Sequence, residues 1–332
     1  MDAPIIFCHY GNSAYLPYVL EVSRINNRDK EIFLLGDQEN RWISETLSID
    51  HLFYQDYQYG TEIDLFDRVY KVIQGNKHNN IVGGRDWLNF VFKRWFYIYN
   101  FLISKGIEEF WHFDSDNMIL SSLSSHEPKF RGYDCTEQCN GMCINGFISN
   151  PDIVLSYIRK INELFQNERY LQKQQKTYDE VQPTYAFTEM QAYKTFKEEE
   201  RIRTIRLNTI IDGSTFDDCI CQEHNMEMER LPSGRKIKKI FLNVDGRFYC
   251  CQKGTNRLLQ MNSLNLSWVP LYLFKTVFLH LKKTANSGKF IEPDTRRMPT
   301  LSSSIPKKYL VKETMKKAIR LAIKRYNNRA FL

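Results

Sequence analysis

Three short apolar runs interleaved with helical patterns constrain the fold of this chain more than any other feature. Ile5-Ile-Phe-Cys-His9 reads as a strand, and Tyr10-Gly-Asn-Ser13 as a turn whose Ser13 suits the cap of a helix over Tyr15 to Ile25. Glu31 to Leu35 is a second strand closed by Gly36-Asp37. Trp42 to Leu47 reads as a further helix and His51 to Tyr54 as a third strand. This rhythm predicts an α/β fold with a mostly parallel sheet flanked by helices, because parallel neighbours need a crossover between them.

Asp86 to Ser104 carries the longest helical pattern, with Asp86 as its cap and Gly106 as its stop. Trp87, Leu88, Phe90, Val91, Phe92, Trp95, Ile98, Phe101 and Leu102 leave it little polar face, so it should be buried on most sides. Lys93 and Arg94 are the exceptions, and two cations in such a helix call for a reason. Glu108 to Phe113 follows as a strand that ends abruptly at Asp114-Ser115-Asp116. Further along, Asn140 to Ser149 reads as a turn and short strand, and Pro151 opens a helix through Phe165. Residues 166–179 are polar, a surface helix end or loop. Thr188 to Phe196 is helical, and Ile237 to Tyr249 forms a hairpin around Asp245-Gly246.

The Asp114 and Asp116 pair is the feature with the clearest chemical content. Separated by one serine at a strand end, both carboxylates can turn toward one point, and hard oxygen ligands suit Mg²⁺ or Mn²⁺ carrying a diphosphate. In α/β sheets ligands collect at the carboxyl ends of the strands, where this pair falls. An Asp-x-Asp triplet also arises by chance as an acidic turn, so its neighbours carry the weight.

Composition limits the alternatives. A mean hydropathy of −0.48 and 42% apolar residues describe a globular chain with a substantial core. No segment has the order of a secretory signal, and Trp268 to Leu281 is too short to span a bilayer. The expected location is the cytosol, with contact to the inner face of a membrane. The eight cysteines lack paired C-x-x-C spacing, which disfavours structural zinc and fits reduced thiols. The net charge of +7 is uneven: residues from Lys282 onward carry +11 and the rest −4. Residues 293–332 therefore read as a basic linker with an amphipathic helix, suited to an anionic membrane surface. No nucleic-acid motif accompanies the charge, which makes nucleic acid an unlikely partner.

Arg94-Trp-Phe-Tyr-Ile-Tyr-Asn-Phe-Leu, then Gly-Ile-Glu-Glu, then Phe-Trp-His-Phe-Asp-Ser-Asp, resembles the nucleotide-sugar glycosyltransferases of the GT-A fold, in which an arginine-bearing aromatic helix precedes the Asp-x-Asp strand. The resemblance covers roughly residues 4–292. It implies a Rossmann-like GT-A domain over 1–292, with 1–120 the nucleotide-binding half and 121–292 the acceptor half. It also implies a metal-dependent hexosyltransferase moving a sugar from a nucleotide diphosphate, a UDP-sugar, to a glycan or lipid-linked acceptor, as in polysaccharide or glycolipid biosynthesis. Mn²⁺ or Mg²⁺ would sit on Asp114 and Asp116, with His280 as third ligand, although Asn265 fits an alternative register. Tyr10, Gly11, Asp37, Arg94, Asp114 and Ser115 would contact the donor, and Lys283 or Lys289 the phosphates. Glu189 would be the general base if the reaction inverts configuration. Asn145 and Gly146 would face the acceptor. A nucleotidyltransferase is the alternative enzyme, although Tyr10-Gly-Asn-Ser13 lacks its Gly-rich, basic loop. A degenerate GT-A binding protein recruited through the basic tail is the non-enzymatic alternative.

Overall fold

The computed structural model describes residues 3–78, 84–284 and 290–309. Its strands in chain order are β1 (Ile5–Cys8), β2 (Ile32–Gly36), β3 (Asp50–Phe53), β4 (Phe110–His112), β5 (Asn117–Ile119), β6 (Cys135–Gln138), β7 (Cys143–Ile148), β8 (Thr204–Arg206), β9 (Ser214–Thr215), β10 (Met228–Arg230), β11 (Lys236–Lys238), β12 (Ile240–Leu242), β13 (Phe248–Cys251), β14 (Leu258–Met261) and β15 (Ser263–Asn265). The helices are α1 (Leu16–Asn26), α2 (Trp42–Thr46), α3 (Thr61–Val69), α4 (Gly84–Lys105), α5 (Glu127–Phe130), α6 (Pro151–Gln166), α7 (Glu168–Glu180), α8 (Glu189–Glu200) and α9 (Leu271–Thr284). Two compact units emerge among the described residues, one built from 3–13, 27–78, 84–115 and 122–207, the other from 14–26, 116–121, 208–284 and 290–309.

The first unit holds a seven-stranded sheet of order β3-β2-β1-β4-β7-β6-β8. It is mostly parallel: β1 pairs in parallel with β2 and β4, β2 with β3, and β6 with β8, while β7 alone runs antiparallel to its neighbours. The expected α/β architecture is therefore present. The apolar runs became β1 and β2 because all their side chains are buried, which suits a sheet covered on both faces. On one face Trp95 of α4 meets His112 of β4 edge-on, with ring centroids 5.0 Å apart; on the other, Trp111 packs edge-on against Phe130 of α5. A cluster of Phe66, Phe92, Phe165 and Phe187 binds α3, α4 and α6 together.

Two features go beyond the sequence pattern. The polar stretch after α6 forms a full helix, α7, because Asn167 caps it, accepting from the Tyr170 N–H at 3.0 Å, and Leu171 and Tyr178, two turns apart, are both buried. Lys93, one of the two cations of α4, is answered by Asp67 of α3 at 2.6 Å.

In the second unit, β12, β13 and β14 form an antiparallel meander extended by β9, with Gly246 at φ +91° in the β12–β13 turn. β5 pairs antiparallel with β15, bringing Asn265 opposite Asn117. Tyr15, just before α1, stacks on Phe274 of α9 with ring centroids 4.9 Å apart. The eight cysteines are thiols. No helix among the described residues is long and apolar enough to cross a membrane. The basic segment 310–332, with its amphipathic pattern, and Lys289 lie outside the described residues.

Candidate active site

Within the first unit, strand order reverses between β1 and β4: β2 and β3 continue to one side, β7 to the other. The carboxyl ends of β1 and β4 flank this switch point, the usual seat of ligands in open α/β sheets. Cys8 closes β1 and leads into His9, Tyr10 and Gly11; His112 closes β4 and leads into Phe113, Asp114 and Ser115. The two ends are tied together, since His9 Nδ1 and Ser115 Oγ are hydrogen-bonded at 2.7 Å. Burial pushes the His9 imidazole down to about 4, against the pull of Asp37, so the ring is neutral at physiological pH.

Asp37, just past β2, clamps the loop after β1. Its Oδ2 accepts from the Gly11 N–H at 2.6 Å, and its Oδ1 accepts from Glu39 N at 2.9 Å. Asn40 completes the clamp, donating to the carbonyls of Gly11 at 3.0 Å and His9 at 3.3 Å, while its Oδ1 accepts from Asp37 N. Gly36 makes room for this arrangement: a Cβ there would stand 2.1 Å from Asn40 Oδ1. Tyr10 lies 40% exposed beside Phe90, its ring centroid 5.4 Å away. Five expected donor contacts, Tyr10, Gly11, Asp37, Asp114 and Ser115, thus cluster at neighbouring strand ends, and Arg94 joins them from α4.

Arg94 carries the electrostatics of the site. Buried in α4, it donates from Nη1 to Asp114 Oδ1 at 2.5 Å and from Nη2 to Glu189 Oε1 at 2.9 Å. Burial works against its charge, but Asp114 and Glu189 together more than offset that, so the guanidinium stays protonated. Glu189 opens α8 behind the cap Thr188, and its buried carboxyl is pushed up to about 7, by burial first, with Arg94 opposing and Asp114 adding. Below Asp114, Asn145 accepts from its backbone N–H at 3.3 Å. Asn145 and Gly146 are both buried in β7. Gly146 has φ +97°, and a Cβ there would meet Thr136 Oγ1 at 2.4 Å, so packing alone requires glycine.

The raised Glu189 carboxyl has a measurable consequence. An acid whose folded pKa exceeds its unfolded value binds a proton in the folded state over the intervening range, so its contribution is full below about 4.5 and lost as pH rises through about 7. With no divalent cation added, wild type should lose about 2–3 kcal/mol more unfolding free energy than Glu189→Gln between pH 5 and pH 8. Urea melts at the two pH values read this directly, and equal losses in both proteins would refute it.

In the second unit, Asp116 is held by the β15 end. Ser267 Oγ donates to Asp116 Oδ2 at 2.6 Å, and Leu266 N donates to the Asp116 carbonyl at 3.0 Å. The same Ser267 hydroxyl lies 2.5 Å from Asn265 Oδ1. Asn265 donates in turn from its backbone N–H to Asp217 Oδ2 at 3.0 Å and from Nδ2 to the Asp218 carbonyl at 3.1 Å. Asp217 is paired with buried Lys238 at 2.5 Å. Of the two third-ligand alternatives, Asn265 shares a hydrogen-bond network with Asp116. His280 sits on α9, its Nε2 bonded with the Asn243 carbonyl at 2.9 Å and its ring against Phe248. Lys283 is exposed in the last turn of α9. Among the described residues no group of three or more His, Cys, Asp and Glu side chains could hold a metal ion.

His9, Asn40, Ser267, Asp217 and Lys238 escaped the sequence reading. His9 and Asn40 offered a faint signal, polar residues immediately after or near strand ends. The other three offered none, because their partners lie far along the chain.

No protein-family model matches the chain, and no curated protein does. Two solved structures of the glycosyltransferase GlyE from Streptococcus pneumoniae TIGR4, one of them the apo form, are similar to it at 14% and 12% identity, with TM-scores of 0.31 and 0.30. Each alignment covers 62% of this chain and 45% of the GlyE chain, so the chain spans less than half the length of these relatives.

Proposed function

We propose that the chain is a glycosyltransferase that moves a sugar from a nucleotide diphosphate donor, a UDP-sugar, to a glycan or lipid-linked acceptor. The observation that carries this reading is Asp114 at the β1–β4 switch point, charge-paired with Arg94 and tied through Ser115 to the end of β1. The Asp-x-Asp segment offers two carboxylates with hard oxygen donors. This fits Mg²⁺ or Mn²⁺, which are held by one or two carboxylates and complete their shell with water and substrate phosphates. Asp114 and Asp116 would hold the cation, with Asn265 or His280 as candidate additions. Bound there, it would supply Lewis-acid stabilisation of the departing diphosphate.

The chain's own residues then have distinct tasks. Tyr10 stacks on the base, and the Asp37–Asn40 clamp fixes the Gly11 backbone against the donor. His9 holds Ser115, and with it the segment between the two carboxylates. Arg94 fixes Asp114 and balances Glu189, whose carboxyl near neutrality suits proton transfer with an acceptor hydroxyl. Lys283 and Lys289 are candidates for the phosphates, Asn145 and Gly146 for the acceptor side, and the basic tail for an anionic membrane.

The test is a thermal-shift panel of UDP and UDP-hexoses with and without Mn²⁺. A donor at 100 times its Kd should stabilise the protein by about 2.7 kcal/mol, a rise of about 4 °C, only when Mn²⁺ is present. Asp116→Ala should abolish the rise, and wild type should slowly hydrolyse the donor it binds. A panel with no Mn²⁺-dependent shift would overturn the reading.

A further inference from the structure

Trp268 sits where neither the backbone nor the core explains a tryptophan. It follows Ser267, whose hydroxyl holds Asp116, and lies in the turn closed by the Val269 N–H bonding to the Leu266 carbonyl at 3.4 Å. Its φ is +63°, the left-handed region that favours glycine at the third position of such a turn and that bulky residues adopt only at a cost. Its side chain is 72% exposed, the largest exposure of any tryptophan among the described residues. A strained backbone carrying a solvated indole gains nothing for folding, and such strain persists where a ligand needs it.

The turn is also firmly anchored. Ser267 N donates to Asn265 Oδ1 at 3.1 Å, and Asn265 is fixed to Asp217 and Asp218, so the indole is displayed from a rigid base. An aromatic face offered rigidly, beside a carboxylate assigned to a sugar diphosphate, suits a flat ligand with an apolar face and polar edges. The C–H face of a pyranose has that character, and it packs on the electron-rich face of an aromatic ring.

We infer that Trp268 is a stacking platform for a pyranose ring beside Asp116. This rests on the transferase reading above. The ring belongs either to the donor's sugar or to a saccharide acceptor, and binding experiments separate the two. In the first, affinities for UDP and for UDP-glucose, UDP-galactose and UDP-N-acetylglucosamine are measured with Mn²⁺ for wild type, Trp268→Phe and Trp268→Ala. In the second, the same proteins are titrated with soluble glucose-, galactose- and N-acetylglucosamine-containing oligosaccharides, followed by tryptophan emission for wild type and by calorimetry for all three.

Trp268→Ala should weaken either a UDP-hexose or an oligosaccharide at least tenfold, Trp268→Phe no more than about threefold, and UDP itself by less than twofold. The donor sugar is the occupant if only the UDP-hexose responds, the acceptor if only the oligosaccharide does. Trp268→Gly supplies the control for folding: relieved of the backbone cost, it should melt no lower than wild type while losing the same binding. Unchanged affinity for every UDP-hexose and oligosaccharide in Trp268→Ala, or a panel in which no sugar binds wild type, would overturn the inference. If wild type binds UDP with Mn²⁺ but Trp268 proves indifferent, only this inference fails. If wild type ignores UDP, the transferase reading fails, and the oligosaccharide titration still decides Trp268.

Discussion

Arg94→Met lowers the unfolding free energy by about 3–5 kcal/mol at pH 8, the range seen when one partner of a buried ion pair is removed. The reason lies in what remains. Asp114 and Glu189 lose the cation that both bond, and Glu189 is buried, so its carboxylate is left in a site it cannot leave. Glu189 can escape by taking a proton, and the loss should therefore be smaller at pH 5, where it does so readily. Adding Glu189→Gln to Arg94→Met should restore more than half of the loss at pH 8. Urea melts of the single and double variants at both pH values decide the matter. Additive losses in the double variant would show that Arg94 and Glu189 are not energetically coupled.

Lys238→Met should cost a similar 3–5 kcal/mol, in the second unit. Lys238 and Asp217 are both almost wholly buried, and the ammonium bonds Asp217 at 2.5 Å and the Cys219 carbonyl at 2.7 Å. Without it, Asp217 loses the buried cation that balances its negative charge, and the Asn265 N–H, which donates to its Oδ2 at 3.0 Å, bears more of the load. The damage should spread along that bond. Ile220 N–H, which donates to the Asn265 carbonyl at 3.0 Å, should exchange its hydrogen faster as the Asn265 end loosens. Replacing Asp217 by Asn in the same chain should recover part of the stability. Hydrogen exchange at Ile220 that is unchanged in Lys238→Met would show that the pair does not support the β15 end.

What could be read from the sequence follows from the range of the interactions involved. β1, β2 and α4 are apolar runs with a local period, so burial writes itself into neighbouring residues. Asp114 stood out because a carboxylate ending an apolar strand is conspicuous within ten residues. Arg94 was conspicuous for the opposite reason, a cation in a helix with almost no polar face. Its partner Asp114 ends the next strand, 20 residues on and within reach of a local reading, whereas Glu189, 95 residues away, was not legible as a partner. Ser267 shows the limit most plainly: one of many serines in the sequence, it acquires meaning only through a bond to a residue 151 positions earlier. Helix α7 was hidden for a subtler reason. Its composition is polar, and only two buried side chains at two-turn spacing hold it down, too few for a hydrophobic period to emerge.

The seven-stranded sheet of the first unit is open, and an open sheet ends in strands with unused hydrogen-bonding edges. β3 and β8 occupy those ends, with four and three residues. Neither offers a long template to a stranger: β3 begins at exposed Asp50, and β8 ends at Arg206 just after Arg203. Short, charged borders of this kind deny a foothold to runaway strand addition between copies. The borders therefore act as guards, leaving little strand edge on which a second copy of a chain so rich in aromatic and apolar material could extend this sheet.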